Sequence, residues 1–101
     1  MENFTIVING DDPVLVDFVN NKAFGSHAYA LEEVANALGE RLRIIKVDTA
    51  KNKTILSAYG LHLQNSFSPT LILFRKGKML WRDNQELSKT DIMMNIVYNL
   101  R

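Results

Sequence analysis

The segment Val14-Leu-Val-Asp-Phe-Val19 restricts what this chain can become more than any other stretch. Five apolar residues surround one carboxylate, and such a continuous run fits a β-strand covered on both faces rather than an alternating strand with one wet face. Gly10-Asp-Asp-Pro13 before it reads as a turn. After it, Leu31, Val34, Ala35 and Leu38 recur at helical spacing, and Gly39 follows as a stop signal. Leu42 to Val47 then reads as a second strand. A strand, a helix and a strand joined this closely predict a right-handed βαβ unit with parallel strands.

The remaining segments predict a different kind of half. Ile55, Leu56 and Tyr59 mark a short helix closed by Gly60. Thr70 to Phe74 and Lys78 to Arg82 flank Arg75-Lys-Gly-Lys78, a hairpin turn with its glycine placed for positive φ. Ser88 is expected to cap a last helix, with Asp91 at the third helical position and Leu87 set against Ile92 as a hydrophobic staple. Ile92, Ile96, Val97 and Leu100 would form its buried stripe, with Met93 and Met94 at a core-facing edge. Trp81 reads as a half-buried strand residue. The first segment has both signals: Phe4, Val7 and Ile8 are helically spaced, whereas Thr5-Ile-Val-Ile8 favours a strand, and a short helix is the reading adopted. The sum is an α/β chain, a three-layer α/β/α sandwich around a mixed sheet, read as one domain over residues 1–101 because no repeat or linker interrupts it.

Composition narrows function by exclusion. A net charge of +1, from 12 Lys+Arg against 11 Asp+Glu, supplies no field for nucleic acid or acidic membranes. No apolar run approaches the roughly 18 residues of a membrane span. The opening residues lack the pattern of a secretory signal, so a cytoplasmic location is expected. His27 and His62 have no metal-ligand spacing, Ser26-His27 are mere sequence neighbours, and no glycine-rich phosphate loop exists, so neither metal, cofactor nor hydrolysis is expected.

The order Pro13-Val-Leu-Val-Asp-Phe18, Ile44-Ile-Lys-Val-Asp48, Ala58-Tyr-Gly60, Ser68-Pro-Thr70 and Leu87-Ser-Lys89 resembles the thioredoxin family over residues 13–101. That resemblance implies a thioredoxin-like fold with a shortened N-terminal part, an active-site loop after the strand carrying Asp17, and a cis-proline at Pro69 facing that loop. It also implies a buried pair of Asp17 and Lys46, which in the family assists proton transfer. The departures are what bear on function. There is no cysteine, and the thiolate is the nucleophile of disulfide exchange.

Counted forward from Phe18, the family's active-site motif falls on Lys22, Ala23, Phe24, Gly25 and Ser26, with Ala23 and Ser26 at the thiol positions. Counted back from Leu31, the same two positions fall near Asn21 and Phe24, since the loop is shorter than the family's. The stretch from Tyr59 to Pro69 is longer, and adds Leu63-Gln-Asn-Ser-Phe67. Gln85 stands where the family has a groove glycine. The expected role is binding of a peptide or protein partner without redox chemistry, along Ser68, Pro69, Phe67, Gln85 and His27. The alternative is a thiol-disulfide oxidoreductase whose cysteines have been replaced, by evolution or by deliberate substitution, at Ala23 and Ser26. A homodimer formed through the altered loop is a third reading.

Overall fold

A computed structural model of the chain describes residues 4–19, 28–49, 51–60, 70–84 and 87–100. Its elements run α1 (Phe4–Ile8), β1 (Val14–Val19), α2 (Ala28–Leu38), a 3-10 turn (Gly39–Arg41), β2 (Arg43–Asp48), α3 (Lys53–Ala58), β3 (Thr70–Arg75), β4 (Lys78–Asp83) and α4 (Lys89–Asn99). The strands form a sheet in the order β2-β1-β3-β4. β1 pairs in parallel with β2 and antiparallel with β3, and β3 pairs antiparallel with β4.

Every residue of β1 is buried, because the two central strands carry helices on both faces. Val14, Val16 and Phe18 point with Ile72 and Phe74 into a core closed by α1 and α3. Leu15 points with Leu71 and Leu73 into a second core closed by α2 and α4. Successive side chains of a strand alternate between faces, so a continuous apolar run is what two covering layers require. The sheet and its two helical layers make the three-layer sandwich.

Local chemistry fixes the ends of the elements. Arg41 donates from Nε to the Leu38 carbonyl at 3.3 Å and from Nη2 to that of Ala37 at 3.0 Å, which satisfies carbonyls left over at the end of α2. Ser88 caps α4 in a reciprocal box: its Oγ accepts from the Asp91 N–H at 3.2 Å, and its own N–H donates to Asp91 Oδ2 at 3.4 Å. Leu87 and Ile92 join the same core, as the staple requires.

In the hairpin, Lys76 has φ 54° and Gly77 φ 76°, the paired positive values of a type I′ turn, whose twist matches that of the flanking strands. The tip is also tied down. The N–H of Lys76 donates to Gly10 O at 3.0 Å and that of Gly77 to Ile8 O at 2.8 Å. Arg75 Nε donates to Asp11 O at 3.1 Å. A Cβ at Gly77 would run into the Asn9 side chain, which is itself held by its Nδ2 donating to Thr5 O at 2.7 Å. Glycine therefore suits the close approach of Asn9, just after α1, as well as the positive φ of the turn.

Three expectations are corrected. Lys46 is exposed rather than buried: β2 is an edge strand among the described residues, so a position that would be covered in a central strand opens to solvent. Val97 is 52% and Met94 66% exposed, so neither belongs to the buried stripe of α4. A helix lying on a sheet covers a single line of contact, here Ile92 and Ile96, and Val97 and Met94 fall outside it. A bulge in β4, where Leu73 faces Trp81 and Phe74 faces Met79, was not visible in the sequence. The extra residue turns Leu80 and Trp81 toward the same core.

An aromatic group joins the first core. Phe4 stands 5.9 Å from Phe74 with their planes at 90°, and Tyr59 stands 5.4 Å from Phe74. Burial pushes the Tyr59 phenol above its ordinary value of 10.0. The fold therefore favours the neutral phenol. Its contribution is intact below the ordinary phenol range and is lost as pH rises through and beyond it, because the unfolded phenol ionises first. The urea midpoint should accordingly fall more steeply between pH 9 and 11 (about one unit either side of the phenol value) in the wild type than in Tyr59→Phe. Parallel declines of the two proteins would contradict this.

Candidate functional site at the carboxyl end of the central strand

Three connections meet the sheet at one end. β1 finishes at Val19, and the crossover to the parallel β2 requires α2 to run back, so Ala28 begins at that same end. Thr70 opens β3 opposite Phe18, and Asp83 closes β4 opposite Leu71. The anchors of residues 20–27, the entry to β3 and the exit from β4 are thus brought together, at the carboxyl end of a central strand where open α/β sheets place their ligands. A depression of about 530 Å³, bordered by Ile6, Asp11, Glu40 and Arg43, lies at the opposite end, where β1 and β2 begin.

Asp17 sits near this end, 2% exposed, and Thr70 is buried to the same extent. They are the two buried polar residues among those described, and Thr70 is one that the sequence reading treated only as the first residue of a strand. Its signal was its place after Ser68-Pro69 at the edge of the site. Asp17 registers with Lys46 on one side and Leu71 on the other. By strand alternation it shares the α2 and α4 face with Leu15. Asp17 makes interactions within the fold. The buried Asp17–Lys46 pair is therefore corrected to a buried carboxyl beside an exposed ammonium that is its neighbour in register.

The other residues assigned to the site, Lys22, Ala23, Phe24, Gly25, Ser26, His27, Phe67, Ser68, Pro69 and Gln85, lie outside the described residues, and so does His62. Among the described residues no group of three His, Cys, Asp or Glu could hold a metal ion. No described helix is long and apolar enough to cross a membrane.

No protein-family model matches the chain. It is 36% identical over 78 residues to thioredoxin of Alicyclobacillus acidocaldarius, an alignment covering 75% of this chain and 70% of that one. It is 33% identical over 89 residues to chloroplastic thioredoxin Y of Oryza sativa subsp. japonica, covering 85% of this chain and 50% of that protein, so it spans about half the rice protein's length. Among solved structures, malaria parasite thioredoxin-2, a component of that parasite's protein secretion machinery, superposes with a TM-score of 0.75 over 86% of this chain and 82% of its own, at 21% identity. A likeness at that identity shows the fold.

Proposed function

Because the chain belongs to the thioredoxin family, we propose that it is a redox-inactive member that binds a peptide or protein partner through residues 20–27, the loop 61–69 and Gln85. The observation that carries this reading is the absence of cysteine from a chain that keeps the family's sheet and the meeting of three connections at the end of β1. Thiol–disulfide exchange proceeds by attack of a thiolate on a disulfide sulfur, and no other side chain here can replace it. Binding of an extended chain needs only main-chain donors and acceptors beside shaped pockets. By the family resemblance the backbone of Ser68, two residues before the pairing of Thr70 with Phe18, would supply such donors and acceptors. Gln85 would narrow the channel beside it and select among partner side chains. A cytoplasmic location goes with this reading.

Retention of the buried Asp17 favours a second reading, an oxidoreductase whose thiols have been replaced at Ala23 and Ser26. With no thiol in the chain, neither reading gives activity as it stands, and the two separate on whether a partner co-purifies; activity tests the redox-inactive statement by itself. With dithiothreitol as reductant, the wild-type chain should reduce a protein disulfide no faster than the reagent does alone. Acceleration that rises with protein concentration would overturn the redox-inactive reading.

A further inference from the structure

We draw no further inference here: the strongest candidate, the exposed apolar patch of Met94 and Val97 on α4, is a helix face for which nothing in the structure shows what covers it.

Discussion

Phe74→Ala should cost about 3–5 kcal/mol of folding free energy, the usual range for removing a buried phenylalanine side chain. Phe74 is 1% exposed and lies in the antiparallel ladder between Val14 of β1 and Met79 of β4. Its ring is the common neighbour of Phe4 from α1 and Tyr59 from the end of α3, at 5.9 and 5.4 Å between centroids. Truncation would remove both edge contacts at once and leave a cavity walled by a rigid sheet on one side. The helices on the other side cannot collapse freely into it. The end of α1 and the turn before β1 are held to the hairpin by three hydrogen bonds, from the N–H groups of Lys76 and Gly77 and from Arg75. Arg82 donates to the Tyr59 carbonyl at 2.6 Å and so fixes the end of α3 to β4.

Since total stability is about 5–15 kcal/mol, this one change would consume a large fraction of it, and Tm should fall by roughly 15 °C or more. Phe74→Leu, which keeps much of the apolar volume, should cost visibly less. Urea unfolding of the three proteins measures this directly. A loss below about 1 kcal/mol for Phe74→Ala would mean that α1 and α3 do not pack on the sheet as described.

The features legible in the sequence were those written over a few neighbouring residues. The apolar run of β1, the spacing of Leu31, Val34 and Leu38, the glycine of the Arg75–Lys78 turn and the Ser88–Asp91 box each carry their own physical cause, and each is found where expected. What was illegible depends on the order of strands and on which face a helix turns to the sheet. Lys46 is flanked by Ile45 and Val47 much as Asp17 is by Val16 and Phe18, yet one is exposed and the other buried, because among the described strands β2 is at the edge and β1 in the centre. Val97 is one residue past Ile96 on the same helix, and only the contact with the sheet separates their exposures, 52% against 1%. The bulge at Leu80 has no residue signature in β4. At the candidate site, the buried carboxyl was readable from its apolar flanks, whereas the side chains proposed to meet a partner lie outside the described residues.

The measurement that bears most directly on the proposed role is the affinity of a partner segment, identified by co-purification, for wild type, Ser68→Ala and Ser68→Pro. Alanine keeps the backbone N–H at this position, and proline removes it. If an extended chain pairs with the main chain of Ser68, losing that donor leaves a partner carbonyl unsatisfied at a cost of about 1–3 kcal/mol, which is about 5- to 150-fold in Kd. Calorimetric titration, with circular dichroism to verify that each variant is folded, should show wild-type affinity for Ser68→Ala and at least that loss for Ser68→Pro. Equal affinity of a folded Ser68→Pro variant, or recovery of no partner by the wild type, would contradict a binding role for this end of the sheet.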